Sequence, residues 1–559
     1  MGLRAGLVVC LAIGLIFAGC SHHATPTTEP ALIVDPAAAF KAGKELVAEH
    51  HPDQAIAQFD KAIEIDPRYA DAYNARGLIR QQSNDLNGAL QDFNKVIELS
   101  PKGAEAYSNR GLVFLTAGQT DPALKDLNRA VELDPHLAIA YVYLGLAHRA
   151  LDLSAEAKAD FDKATGADPN CVAAYINRGA LERTTGDSRA ALLDLTKALD
   201  LEPKNAAAYL QRGLVYIDLR QFQTAADDFD TAVKIDPQSA VAYANRGFAR
   251  MNLTEPDYKS ALADFDQAIK LNPKLAEAYD DRGDARRRAT GEVQPARADF
   301  DKAIELNPRL VEAYNHRGSL YHDLGAAYHN TELEKMAIAD YDTAIKINSA
   351  FPVAYSNRGL AKYELHDYDG AIADYSLTMK LAPNQSAVYY NRGMAYREKG
   401  DLKKALADFD QAIRLNPTFP DAFENRGLAL MQAHQTDAAI VNFSRAIELN
   451  PKMSKAFVDR GLALAVQHDL RLANEDFTQA IKLNPSDPQA YLNRCVIRIL
   501  QMQDVESRQD YDTCLKLQPG LKEDLDKRIA AAHAQVARQI AGQHGTPTVD
   551  PPKVVTPKE

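Results

Sequence analysis

The chain has 559 residues, 46% of them hydrophobic and 25% charged, the balance of a globular chain rather than a disordered or fibrous one. Against 76 acidic residues stand 64 basic ones, a net charge of -12, which excludes a general nucleic-acid binder and a polybasic membrane-surface protein. Five cysteines with no C-x-x-C pair exclude a disulfide framework and a zinc-built fold.

The first residues are of a different material. Met1 to Arg4 carries one positive charge, and Ala5 to Phe17 is apolar and uncharged. About 13 residues are too few to span a bilayer and enough for a signal-peptide core. The core ends in Phe17-Ala18-Gly19-Cys20, followed by the polar Ser21-His22-His23-Ala24. This resembles a bacterial lipoprotein signal, with Phe17 where that family usually has Leu. The resemblance implies a signal peptide over 1–19, acyl chains such as palmitate on Cys20, and a Thr/Pro-rich spacer over 20–36. It also implies export, with Ser21 fitting an outer-membrane lipoprotein facing the periplasm. An ordinary cleaved signal with an incidental Cys20 is the alternative. No later apolar run is long enough to cross a membrane.

From residue 37 to 519 the chain repeats itself. Pro recurs at 67, 101, 135, 169, 203 and 237, a spacing of 34, then at 273 and 308, and again at 383, 417, 451, 485 and 519. Taking Pro as position 32 of the repeat, position 8 is Gly in thirteen of fourteen copies and position 20 is Ala in thirteen. Position 4 is Tyr or Phe from Tyr73 to Tyr491, and position 24 is mostly Phe or Tyr. The pattern resembles the tetratricopeptide repeat. It implies an all-α, right-handed α-solenoid of fourteen helix-turn-helix repeats. Apolar residues at helical spacing in Ala72–Leu78 and Gly88–Ile97, split by the polar Ser83-Asn84-Asp85, require the same hairpin independently. Gly in a helix interior costs about 1 kcal/mol, so its recurrence needs close helix approach. A lone hairpin cannot bury its apolar face, whereas a stack can.

One feature departs from that family. Position 7, usually Leu, is Arg in twelve of the thirteen repeats from the second onward, and position 23 is Asp in twelve of the same thirteen. Antiparallel pairing of 8 with 20 brings 7 near 21 to 24, so an Arg–Asp ladder is expected within or between adjacent repeats. The first repeat lacks these residues and suits a cap. Leu521, Leu525, Ile529, Val536 and Ile540 predict a capping helix over 520–541, ahead of a Pro-rich disordered tail at 542–559. Cys495 and Cys514 occupy small inward positions of the last repeat. They either form a disulfide or stand as two buried thiols, and spacing does not decide. Extra residues near Glu255-Pro256, near Glu292 and between Gly325 and Met336 all fall in the turn inside a repeat.

No phosphate-binding loop, dinucleotide fingerprint, nucleophile elbow, H-E-x-x-H or calcium loop occurs, so no enzyme, cofactor, metal site or small-molecule substrate is expected. His316, His322 and His329 near Glu332 and Glu334 read as surface residues rather than metal ligands. By resemblance, positions 2, 5, 9, 12 and 13 line a concave groove. Its apolar stripe breaks mid-chain at Asp280, Asp284, Arg287 and Arg288, then Asn315, Ser319, His322 and Asp323, with Tyr390, Met394 and Arg397 beyond. These are the candidate partner-binding residues. The family's carboxylate clamp, Lys at 5 with Asn at 9, is absent. The expectation is a membrane-anchored scaffold of the cell envelope that binds proteins or peptides. The alternatives are an assembly or pilot factor for an outer-membrane complex, or an adaptor regulating an envelope hydrolase or protease.

Overall fold

Proline cannot continue a helix and Gly or Asn tolerates a left-handed turn, and these two facts cut the chain into short helices at regular intervals. In the computed structural model, which describes residues 35–542, twenty-eight α-helices form fourteen consecutive hairpins from Pro36–Ala48 to Asp504–Leu517. A further helix, Lys522–Gly542, follows the single 3-10 turn Pro519–Leu521. No strand occurs among the described residues, and the fold is all-α, a succession of helical hairpins as expected. The expected signal segment, Cys20, most of the spacer and the tail beyond 542 lie outside the described residues.

Each hairpin is punctuated alike. In the second, Ala70–Gln82 ends at Ser83, Asn84 takes φ +62°, and Asp85 caps Leu86–Leu99 by accepting from the Gly88 amide at 2.9 Å. The left-handed residue falls at position 15, where glycine (Gly118, Gly186, Gly400) alternates with His50, His366, His434 and His468. These four histidines are thereby explained by backbone geometry, since His is among the non-glycine residues that tolerate this region. At the other end Asp66 precedes Pro67 and accepts from the Arg68 amide at 2.9 Å, turning the chain into the next hairpin.

Packing inside a hairpin depends on Gly at 8. A Cβ on Gly393 would lie 2.8 Å from a ring carbon of Phe409 at position 24, and one on Gly427 2.5 Å from Phe443. Those phenylalanines, and the alanines at 20, have no exposed surface.

The described chain divides into two compact units, 35–299 and 300–542. In the second, the cap helix closes the apolar end. Leu525 and Ala532 are buried with Leu492, Cys495, Ile499 and Cys514, and Leu521 and Ile529 pack alongside. Val536 is half-buried, and the Ile540 side chain lies outside the described residues. Of the two readings left open for Cys495 and Cys514, the structure has two free thiols in one apolar cluster; burial first, then Asp510, pushes the Cys495 thiol up to about 12. One expectation needs correction: the insertion between Gly325 and Met336 does not sit in a turn. It lengthens Val311–Tyr328 to 18 residues and Thr331–Ile347 to 17, because its residues continue both helical patterns until His329 breaks them at φ +50°.

Candidate functional site

The Arg–Asp ladder is present and has a second arm. Arg212 Nε and Nη2 grip Asp228 at 2.8 and 2.7 Å, and Arg392 grips Asp408 at 2.8 Å through both nitrogens. The third nitrogen of each guanidinium commonly reaches back to position 25 of the preceding hairpin. Arg178 donates to Asp162 at 2.7 Å, Arg317 to Asp301 at 2.6 Å and Arg392 to Ser376 at 2.9 Å. One side chain therefore ties two hairpins. The position-4 aromatic lies under the guanidinium, as with Arg246 5.1 Å from the Tyr243 ring centroid. The hydrogen bond to Asp194, against desolvation, holds the Arg178 guanidinium above its ordinary value. Where position 7 is Leu144, His148 at position 11 takes over and pairs with Asp160 at 2.6 Å. In the first hairpin Gln58 stands at position 23, and its Oε1 is buried without a hydrogen bond. Ladder residues are thus satisfied by one another, which leaves the first-helix face to carry function.

In 35–299 that face holds a cavity of about 410 Å³. Its floor is Leu181, Leu210, Leu214, Val241, Ala244 and Leu275, and Arg149, Arg183 and Glu277 stand at its rim. Apart from Leu275, which caps the last of them, these residues come from the first helices of five successive hairpins, at positions including 2, 5, 9 and 12. Arg183 pairs with Asp218 at 2.8 Å through Nη1, while its Nε is buried with no hydrogen-bond partner. The cavity therefore combines an apolar floor with an N–H that lacks an acceptor, a combination suited to an extended chain bearing apolar side chains.

The candidate residues named from sequence occupy other stretches of the same face and are largely spent on neighbours. In 35–299, Asp280 and Asp284 are buried, and Asp284 is neutralised by Arg287 at 2.9 Å and Arg288 at 3.5 Å. The expected charged, open centre is therefore a closed ion cluster, because an unpaired buried carboxylate would cost several kcal/mol. Arg288 also lies 5.7 Å from the Tyr258 ring centroid.

In 300–542, Asn315 is buried and accepts from Asn357 at 3.0 Å, and Ser319 accepts from the Tyr341 hydroxyl at 3.3 Å. His322 is partly buried against Glu334 at 2.9 Å rather than solvated, while Asp323 is exposed. Burial, opposed by His322, raises the Glu334 carboxyl above its ordinary value. Among the described residues no group of three or more His, Cys, Asp or Glu is arranged to hold a metal ion. Tyr390, Met394 and Arg397 belong to Ser386–Glu398. Met394 packs against the core around Phe409. Arg397 donates to Asn425 at 2.7 Å and to Glu398, and Asn425 donates to the Tyr390 hydroxyl at 3.1 Å and to Glu424 at 2.8 Å. Burial, followed by Glu424, pushes the Tyr390 hydroxyl up. Sequence reasoning missed Leu210, Val241 and Arg183, although all three sit at groove positions. It also missed Glu424 and Asp459, two acids of successive repeats, the first at groove position 5 and the second beside it at position 6.

Models of the tetratricopeptide repeat match residues 43–84, 79–118, 104–137, 138–171, 176–240, 318–351 and 386–419. These segments are tetratricopeptide repeats. Among solved structures, the chain is similar to one described as an APC/C hetero-tetramer, Cut9–Hcn1, with TM-score 0.51 and 15% identity over 83% of this chain and 98% of that one. It also matches a human IFIT1 dimer with PPP-AAAA, at TM-score 0.43 and 15% identity over 68% of this chain and 90% of that one. A third match is YrrB, described as a TPR protein with an unusual peptide-binding site, at TM-score 0.28 and 24% identity over 32% and 92%. At these identities the first likeness shows the fold alone. No curated protein matches the sequence.

Proposed function

We propose that this tetratricopeptide-repeat solenoid is a non-enzymatic scaffold that binds partner proteins or peptides on its first-helix face, tethered to a membrane of the bacterial envelope by acyl chains on Cys20. The observation that carries the reading is the cavity in 35–299, with its leucine floor and the buried Arg183 Nε that lacks an acceptor. A core needs no such opening. A bound segment would supply apolar side chains to Leu210 and Leu214, and a backbone carbonyl or carboxylate to Arg183. The tether rests on the sequence Phe17-Ala18-Gly19-Cys20 alone.

A photo-crosslinking residue at Leu214, compared with one at the exposed Leu193 on the second-helix face, tests the groove. Expected is a discrete crosslinked partner from Leu214 that is lost on Leu210→Glu, with none from Leu193. Equal labelling from both positions rejects it. A membrane-pore partner would make the scaffold an assembly or pilot factor, and a hydrolase or protease would make it an adaptor. Cys20→Ser should move the chain from the membrane to the soluble fraction, and an unchanged distribution rejects the tether.

A further inference from the structure

The first-helix face of 300–542 carries a recurring side-chain step. Position 6 of one hairpin reaches position 5 of the hairpin before it. Asn357 donates to Asn315 at 3.0 Å, and Asn425 donates to the Tyr390 hydroxyl at 3.1 Å. At the next step position 5 is Glu424 and position 6 is Asp459, whereas the hairpins on either side have Asn425 and Asn493 at position 6. Two carboxyls thus meet where a donor would face an acceptor. Glu424 is 2% exposed, and Asp459 Oδ2 is closed to solvent with no hydrogen-bond partner. Such a pair must hold a proton or a cation. Desolvation, then Glu424, raises the Asp459 carboxyl well above its ordinary value.

The chain supplies its own partial occupant. Lys455 brings Nζ to 3.3 Å from Glu424 Oε1, in a geometry that leaves that oxygen without a hydrogen bond. Its side chain is 61% exposed, so it can swing away. The charged groups acting on the pair are Arg397 from Ser386–Glu398 and Lys455 from Ser454–Val466, and the Tyr390 hydroxyl, itself under Asp421, lies beside Glu424. Arg397 is already engaged by Glu398 and Asn425. With Lys455 displaced, negative charge therefore exceeds positive at the pair.

We infer that Glu424 and Asp459 together seat an arginine side chain of a partner peptide, whose guanidinium takes both carboxylates and displaces Lys455. The inference rests on the groove reading above and names the partner's chemistry. A guanidinium is a planar fork able to donate to two adjacent carboxyls at once, whereas an ammonium is a point charge. Entry of the guanidinium releases the proton held by Asp459, and no covalent bond changes.

Calorimetric titration of the full chain with N-acetyl-argininamide and with its neutral isostere N-acetyl-citrullinamide, near neutral pH in two buffers of different ionisation heat, tests it. The arginine compound should bind about tenfold or more tighter, with proton release. Glu424→Gln and Asp459→Asn should each abolish that preference, and Lys455→Ala, an exposed position, should strengthen it. Equal binding of the two compounds by the unmodified chain overturns the inference whatever the variants do, as does weaker arginine binding by Lys455→Ala. A chain that captures partners at Leu214 yet treats the two compounds alike loses this site and keeps the groove. One that discriminates them while capturing nothing at Leu214 keeps this site and loses the wider reading.

Discussion

The groove faces of 35–299 and 300–542 are built on one frame and lined with different chemistry. Over four successive hairpins position 5 runs Val142, Ile176, Leu210, Ala244 in the first and Asn315, Ser356, Tyr390, Glu424 in the second, although Asn74, Ser108 and Asp280 stand there elsewhere in the first and Val458 and Leu492 elsewhere in the second. The first face opens into a leucine-floored cavity, while the second is a chain of buried polar contacts ending in two carboxyls. Behind both faces the Arg–Asp grip, the Gly at 8 and a large apolar side chain at 24 recur, with few exceptions. Stability in a repeat stack sums over hairpins and their interfaces. Positions that hold the stack are therefore constrained everywhere, and positions on the face are free to differ.

The largest expected effect tests that common frame. Arg212→Ala in the first unit and Arg392→Ala in the second each strand a buried aspartate, Asp228 at 6% and Asp408 at 6% exposure. Removing one partner of a buried pair costs about 3–5 kcal/mol, so denaturant midpoints should fall comparably for both. A large loss from one and none from the other would mean that the halves are held differently. Next in size, Gly393→Ala forces a Cβ against the Phe409 ring. Overpacking costs about 1–3 kcal/mol, less the gain of about 1 kcal/mol from helix propensity. Thermal unfolding should show net destabilisation, and Phe409→Leu should relieve part of it.

Those packing positions were legible in the sequence because they repeat, and so was an Arg–Asp ladder, since the antiparallel register that follows from 8 meeting 20 places 7 near 21 to 24. Three things were not legible. The back-reach of Arg392 to Ser376 depends on how far one hairpin is rotated on the previous one, which periodicity does not state. His148 replacing Leu144 as the partner of Asp160 is a tertiary substitution, four residues off register. The burial of Asp284 under Arg287 and Arg288 turned an expected binding patch into a closed cluster, because charged residues on a helix face say nothing of whether they meet one another. The left-handed turn at position 15, by contrast, was readable. Asn84, His366, His434 and His468 recur there among glycines.

A smaller effect separates the faces by pH. The raised Asp459 carboxyl stabilises the folded second unit while it is protonated. That contribution is complete below the ordinary carboxylate range near pH 3.9 and is lost as pH rises through the elevated value. Asp459→Asn removes this dependence and recreates the amide step seen at Asn425. Its melting temperature should exceed that of the unmodified chain at neutral pH, with the advantage shrinking toward pH 4. An advantage independent of pH would show that the pair is not the titrating group. Leu214→Asn, on the apolar face, should leave the pH profile unaltered.

The smallest effect probes the turn that both units share. Met502 at φ +61° and Gly400 at φ +80° hold position 15 in different hairpins of the second unit. A side chain in the left-handed region costs about 1–2 kcal/mol, while glycine gives back about 0.5–1 kcal/mol through its freer unfolded chain. Met502 is 59% exposed, so Met502→Gly gives up little packing and should stabilise by about 0.5 kcal/mol. Gly400→Ala should destabilise by a similar amount. Urea midpoints moving in opposite directions for the two variants would show that backbone conformation decides position 15. Movement in the same direction would mean that Met502 has a role on the surface which its exposed side chain alone does not disclose.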